Sequence, residues 1–269
     1  MSDRILVFIP CYNCAAQIPR VLAQFSSRIA RYVETILVLD NRSTDGTREA
    51  AIGAALAMPD LDIRVARNRD NFNLGGSHKA AFGFALRRGY SHVLVLHGDD
   101  QADVMDILPA LEKQWHRKYD ACLGSRFSAG SRLQGYSSLR IAGNRVFNTL
   151  FSWAMRRRVE DLGSGLNIFS ARAMRSPDIE RYSDDLRFNI FLFMGMFEKK
   201  LPVVYFPISW REDDQVSNVR LTSQAWRTLA ILWGRLLQPA KFRLADQRSV
   251  RHAEYRFDVI FPVPTQGMA

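Results

Sequence analysis

Residues 93–96 read Val-Leu-Val-Leu, and the chain passes directly into His97-Gly98-Asp99-Asp100-Gln101. A short apolar run with no polar alternation predicts a strand buried on both faces, the setting of an interior strand in a parallel sheet. Open α/β sheets bind ligands in a crevice at the carboxyl ends of their strands, so the acidic cluster falls where a ligand is expected. Asp99, Asp100 and Gln101 are hard oxygen donors suited to Mg²⁺ or Mn²⁺, with part of the coordination left to water and phosphate oxygens. That chemistry points to a phosphorylated substrate. Taken alone, the segment also reads as a strand-end turn with helix-capping carboxylates.

The flanking sequence alternates between strand and helix patterns. Strands are predicted at 5–10, 35–40, 63–66 and 93–96, and helices at 15–30, 44–58, 77–88 and 105–118. Such alternation means parallel βαβ units with right-handed crossovers. Beyond a strand at 121–125 the order is less regular, with a helix near 140–157, a strand at 166–170, a helix at 185–199 and a strand at 203–210. This half is expected to supply an antiparallel strand and the lid of the site. The aromatic run 188–197 is interrupted by Asn189 and Gly195 and is too short for a membrane span, so it reads as a core helix. No linker, repeat or low-complexity block divides the 269 residues. The expected organisation is one α/β domain, 1–220, followed by a basic helical extension, 221–269.

The net charge of +10 admits nucleic acid, anionic lipid or an anionic substrate as partner. No zinc finger, recognition helix or RNA-stacking motif accompanies the charge, which argues against nucleic acid. Cys11, Cys14 and Cys122 cannot all pair with one another, and no signal segment opens the chain; both features suit a reduced, cytosolic protein. Cys11-Tyr12-Asn13-Cys14 has redox or zinc spacing but lacks a second pair of ligands.

Two further strand ends carry candidate chemistry. Asp40 closes the second strand, where it can accept a hydrogen bond from a base N–H; Ser43-Thr44-Asp45-Gly46-Thr47 behind it reads mainly as helix capping. Asn71-Phe72-Asn73-Leu74-Gly75-Gly76-Ser77-His78-Lys79 sets two glycines ahead of a predicted helix, with a lysine in its first turn. Backbone N–H groups at Gly75 and the Lys79 ammonium can meet a phosphate there, although such a pair of glycines is as often a plain turn. The segment is neither a dinucleotide fingerprint nor a P-loop.

In order along the chain stand Ile9-Pro10-Cys11-Tyr12-Asn13, Leu39-Asp40 with Ser43 to Thr47, Asn71 with Leu74-Gly75, Gly98-Asp99 with Gln101, Gly124-Ser125-Arg126-Phe127, and Asp161 with Ser164-Gly165. This series resembles family 2 glycosyltransferases, and within them the dolichol- or polyprenol-phosphate mannosyltransferase-like branch, over roughly residues 5–220. The resemblance implies a GT-A fold, a mostly parallel Rossmann-like sheet with helices on both faces. It also implies a nucleotide-sugar donor, a divalent metal and inversion at the anomeric carbon. Pro10, Tyr12, Asn13, Asp40 and Asp99 match family nucleotide contacts, and Asp99 with Gln101 matches the metal and diphosphate positions. Arg126, Arg140 and Arg211 match arginines set around the acceptor phosphate and donor diphosphate. Three departures stand out: His97 replaces the first carboxylate of the usual Asp-x-Asp, Asn41-Arg42 follows Asp40, and Cys14 takes an often acidic position.

The favoured acceptor is a polyprenyl phosphate, which can attack as a dianion without a protein base; a sugar or lipid hydroxyl would need one. For a hydroxyl the candidate bases are Asp161, Asp184 and Asp185, the last two reading also as a helix cap. A nucleotidyltransferase lacks its Gly-rich loop here, and a non-catalytic sugar-nucleotide-binding module finds its best argument in His97. In the predicted helix 223–238, Trp226, Leu229, Ala230, Trp233, Leu236 and Leu237 form an apolar stripe, and the arginines from Arg220 to Arg256 surround it. It reads either as a helix lying in the interface of the cytosolic membrane face or as one packed on the domain or on a second subunit.

Overall fold

The computed structural model describes residues 3–176, 178–212 and 221–262, with side chains from 225 onward in the last segment. Arg220 lies outside the described residues. Eight strands form the main sheet: β1 Ile5–Cys11, β2 Thr35–Asp40, β3 Ile63–Asn68, β4 His92–Leu96, β5 Ala121–Ser125, β7 Leu166–Ser170, β8 Val203–Pro207 and β10 Phe257–Phe261. A two-stranded ribbon pairs β6 Arg132–Gln134 with β9 Ser209–Arg211. The order across the main sheet is β10-β3-β2-β1-β4-β7-β5-β8. Strands β3, β2, β1 and β4 run parallel, in keeping with the near-continuous apolar sequences of β1, β2 and β4, and β7 lies antiparallel between β4 and β5. Every residue of β1, β2, β4 and β5 is buried.

The chain steps from β1 outward through β2 to β3 and then crosses back to lay β4 on the other side of β1. The strand order reverses at this point, so a crevice opens between the carboxyl ends of β1 and β4. The two faces of the sheet pack separate apolar clusters. One is built around Phe8, Phe82, Phe169 and Phe193, the other around Val7, Ile9, Ile18, Leu22 and Ile168. The helix Phe188–Glu198 is buried on nearly all sides within the first cluster.

Several expected elements differ in detail. The stretch 203–210 is split between β8 and β9, because Pro207 closes the ladder with Ser125 and the chain then moves to the ribbon. The predicted helix 105–118 is three short pieces, broken where Gln114 takes a left-handed φ of 56°. The C-terminal segment has helices at Leu221–Leu237 and Pro239–Leu244, but it ends by returning as β10, antiparallel to β3, an edge strand that the helical reading of 221–269 does not contain. No described helix is long and apolar enough to cross a membrane.

Candidate active site

Asp40 and Cys11 are register partners at the ends of β2 and β1, which brings the Asp40 carboxylate to the crevice by strand pairing alone. Its Oδ1 accepts from the Ser43 N–H at 3.0 Å. Its Oδ2 is buried without a hydrogen-bond partner, and Arg67 Nε, also unpartnered, stands 3.6 Å away. A buried acceptor and a buried donor side by side, both unsatisfied, are costly unless a ligand engages them. No motif in the sequence points to Arg67, since an arginine in a strand that also carries Arg64 looks like an outward-facing charge.

Loops interlock around this strand end. Asn13, at φ 52°, accepts from Thr44 N at 2.9 Å and its own N–H donates to Ser43 Oγ at 2.9 Å, while Ala15 N donates to Asp45 Oδ2. The helix Thr47–Leu56 has Gly46 at its N-cap with no side-chain cap bond, so Ser43, Thr44 and Asp45, expected mainly to cap it, chiefly fix the Tyr12-Asn13 turn, leaving Tyr12 53% exposed at the crevice rim. Pro10 O receives the Gly98 N–H at 3.1 Å. Behind them Asn41 donates to Asn71 and accepts from Asn68 and the Phe72 N–H, a buried amide network that single-residue motifs did not disclose.

Asp99 stands half-buried after β4. Burial pushes its carboxyl up to about 6; the Gln101 N–H opposes this weakly from 3.3 Å, and neighbouring Asp100 adds to it. Among the described residues no cation pairs with Asp99. Asp100 is different. It takes a left-handed φ of 58° and turns inward, where Oδ2 meets Arg20 Nε at 2.7 Å and an Arg211 guanidinium nitrogen, and Oδ1 accepts from Gln24 at 3.0 Å. Asp100 is thereby corrected from a prospective metal ligand to a brace for the turn that presents Asp99. His97 lies on the crevice side with Nε2 buried and unpartnered, its N–H on Gly165 O, and burial holds its ring neutral with a pKa near 4. A Cβ at Gly165 would come within 3.0 Å of that ring, so the glycine makes room for it.

An unpaired carboxylate, the Gln101 amide and an unsatisfied imidazole nitrogen fit one divalent cation incompletely. Among the described residues no group of three or more His, Cys, Asp or Glu is arranged to hold a metal. Mg²⁺ or Mn²⁺ at Asp99 and Gln101 would take its remaining ligands from a diphosphate and water, as hard cations at phosphate sites do.

The three arginines fall on one flank. Arg126 is buried and grips Asp161 through Nε and an Nη, both at 2.7 Å, while its other Nη donates to Tyr136 Oη at 3.2 Å. Arg140 stacks on the Tyr136 ring, 4.9 Å from its centre, and pairs with Glu212 at 2.5 Å. Arg211 donates from Nε to the Asp100 carbonyl at 2.8 Å. Tyr136 thus joins two of the arginines, a link hidden in the sequence by an unremarkable Gly-Tyr turn. Arg211→Lys is expected to cut kcat/KM by about ten-fold at unchanged net charge, because an ammonium cannot span both the carbonyl and the carboxylate of Asp100. Steady-state kinetics with an intact thermal midpoint checks this; wild-type values would remove Arg211 from the site.

Gly75 and Lys79 do not serve the expected phosphate cradle. The helix begins earlier than predicted, at Asn73–Arg87, so both glycines lie within it. The Gly75 N–H is spent on Asp184 O at 2.6 Å, and a Cβ there would strike Ser183 O at 2.5 Å; the glycine permits close packing of a distant loop. Lys79 is buried, with Nζ on Tyr182 O at 2.6 Å and Asp184 Oδ1 at 2.7 Å. Asp185 is held by Arg187 and Ser183. The thiols of Cys11 and Cys14 are buried beneath Gly98, where they pack rather than line the crevice.

A mostly parallel sheet whose order reverses at β1 and β4, with carboxylates at the ends of β2 and β4, is a GT-A fold, the architecture of nucleotide-sugar enzymes. Residues 6–183 match the family model for glycosyl transferase family 2, and the chain belongs to that family. Over 212 residues it is 28% identical to polyprenol monophosphomannose synthase of Mycolicibacterium smegmatis, covering 78% of each chain. Over 185 residues it is 27% identical to the undecaprenyl-phosphate mannosyltransferase of Micrococcus luteus, covering 66% of this chain and 70% of that one. Among solved structures, glucosyl-3-phosphoglycerate synthase from Mycobacterium tuberculosis in complex with Mn²⁺, UDP and glucosyl-3-phosphoglycerate shares the fold, with a TM-score of 0.61 at 16% identity over 87% of this chain and 80% of that one.

Proposed function

We propose that this glycosyltransferase moves a sugar from a nucleotide-sugar donor to the phosphate of a polyprenyl phosphate, with a divalent metal and with inversion, at the cytosolic face of a membrane. The observation that carries the acceptor assignment is the state, among the described residues, of the three carboxylates that the sequence offers as candidate bases. Asp161 is locked to Arg126, Asp184 to Lys79 and Asp185 to Arg187. Among the described candidates a hydroxyl nucleophile finds no free base, whereas a phosphate dianion carries its own negative oxygen. The names of the two mannosyltransferase relatives support the same acceptor.

In this reading Asp40 and Arg67 hold the base, Pro10, Tyr12 and Asn13 frame the nucleoside, and Asp99 with Gln101 holds the cation. When bound there, a divalent cation would supply charge neutralisation for the diphosphate leaving group. Arg140, at the partly exposed edge of the arginine flank, orients the acceptor phosphate, while Arg126 and Arg211 position the walls around it. An acceptor oxygen forms its bond to the anomeric carbon as the bond to the diphosphate oxygen breaks on the opposite side, and the nucleoside diphosphate leaves. No proton need move.

Two experiments test the reading. Asp40→Asn keeps the Oδ1 acceptor but turns Oδ2 into an uncharged group; nucleoside diphosphate affinity by calorimetry is expected to fall roughly ten-fold or more. Unchanged affinity would take Asp40 out of the donor site. For the acceptor, a panel of sugar nucleotides with Mn²⁺ is offered polyprenyl phosphate, polyprenol and soluble sugars. Transfer to the phosphate alone supports the proposal, and transfer to either hydroxyl class overturns it.

A further inference from the structure

Two helices, the first of which begins beside the crevice, carry an outward face that the rest of the described chain leaves uncovered. Ser138–Met155 and Leu221–Leu237 touch one another, and both turn their inner sides into the same core cluster, through Phe151 and Leu150 on one and Ile231, Leu232 and Leu236 on the other. Their outer sides therefore share a surface. On the first, Leu139, Val146 and Trp153 recur at heptad spacing and are all exposed, Trp153 by 71%. On the second, Trp226 and Trp233 recur at the same spacing with Leu237 beyond them, Trp226 being 73% exposed. Heptad spacing keeps side chains on one helical face.

The charge carried by these helices themselves has one sign, and the carboxylates that meet them, Glu198 on Arg235 and Glu212 on Arg140, come from elsewhere in the fold. Neither helix contains an Asp or a Glu, and neither does the following Pro239–Leu244. Arg145 and Arg227 are exposed, and among the described residues no carboxylate pairs with either. Lys241 and Arg243 add two more cations on the third helix. Tryptophan and aliphatic side chains on one face, flanked by arginine and free of acids, match a helix lying in the plane of an anionic lipid surface. A self-association face fits worse, because an isologous contact pairs the patch with itself, and helices that carry cations and no acids offer their copy no opposite charge.

We propose that these two helices together form a docking face for an anionic lipid bilayer. The first of them starts at the crevice, where Arg140 covers Tyr136, so docking brings the arginine flank to the bilayer surface. The inference deepens the polyprenyl-phosphate reading by supplying a route to that acceptor, but it is tested without turnover. Full-length protein is floated with phosphatidylcholine vesicles with and without phosphatidylglycerol, at low and high salt. Binding is expected to the anionic vesicles at low salt and to be lost at high salt. Arg145→Gln with Arg227→Gln should weaken it about thirty-fold, each basic side chain near the surface contributing roughly a factor of five. Trp153→Ser with Trp226→Ser and Trp233→Ser should abolish it while nucleotide affinity stays at the wild-type value, the control for folding. No flotation, equal binding to neutral vesicles, or binding indifferent to both variants overturns the docking face. So does a dimer in sedimentation that the tryptophan substitutions dissociate. Vesicle binding without transfer to polyprenyl phosphate would count against the acceptor reading and leave the docking face standing.

Discussion

Asp99→Asn is expected to lower turnover by about three orders of magnitude while leaving the fold intact. Removing one fixed charge that acts where charge develops costs rates of this size. The substitution is close to isosteric and removes a crevice carboxylate that, among the described residues, has no cation beside it. In the folded protein that carboxylate is held up to about 6 by burial, so its charge is tolerated rather than stabilised. The thermal midpoint should therefore stay level or rise. Metal-dependent nucleotide binding should fall with turnover, as calorimetry with and without Mn²⁺ would register. Near-normal turnover in Asp99→Asn would remove the metal and diphosphate assignment and leave His97 without a partner in it.

Lys79→Met should do the opposite, harming stability and sparing chemistry. Lys79 and Asp184 are side chains exposed by 0% and 3%, joined at 2.7 Å. Burial pulls the lysine pKa down, and the Asp184 carboxylate opposes that shift. Deleting the ammonium leaves a buried carboxylate with, among the described residues, Tyr255 Oη as its hydrogen-bond donor, together with the Tyr182 carbonyl that Nζ served. Breaking a buried pair in this way costs about 3–5 kcal/mol. Adding Asp184→Leu should recover part of the loss, since the charge goes but the carbonyl stays unsatisfied. Urea unfolding of the single and double variants measures this, and nucleotide affinity below the transition should equal that of the wild type. A stable Lys79→Met with weakened nucleotide binding would return the lysine to the donor phosphates.

Where sequence and structure agree, the reason is local. The strands at 35–40, 121–125 and 166–170 coincide with β2, β5 and β7, because apolar runs with sharp polar ends admit few other conformations. Asp40 and Asp99 reach the crevice because each ends such a run. Where they part, a long-range contact decides. Gly75 and Lys79 look like an anion cradle within their own segment, yet the loop at Ser183-Asp184, over a hundred positions further on, claims both. Asp161 looks free until Arg126 is folded against it. Strand β10 has an apolar run like the others, but it follows a basic stretch that reads as a helical tail, and only its pairing with β3 gives it a place. Arg67 and Tyr136 are absent from any motif because their importance is a matter of neighbours: an unpaired oxygen on Asp40 in one case and two guanidinium groups in the other.

The central claim is that a phosphate oxygen attacks the anomeric carbon without help from a protein base. The most direct measurement is phosphorus and proton NMR of the lipid product made from an α-configured sugar nucleotide and polyprenyl phosphate. The account predicts a β-linked glycosyl phosphodiester, with the nucleoside diphosphate released in equal amount. An α-linked product would contradict inversion, and a sugar bound through a hydroxyl with the lipid phosphate still a monoester would contradict the acceptor.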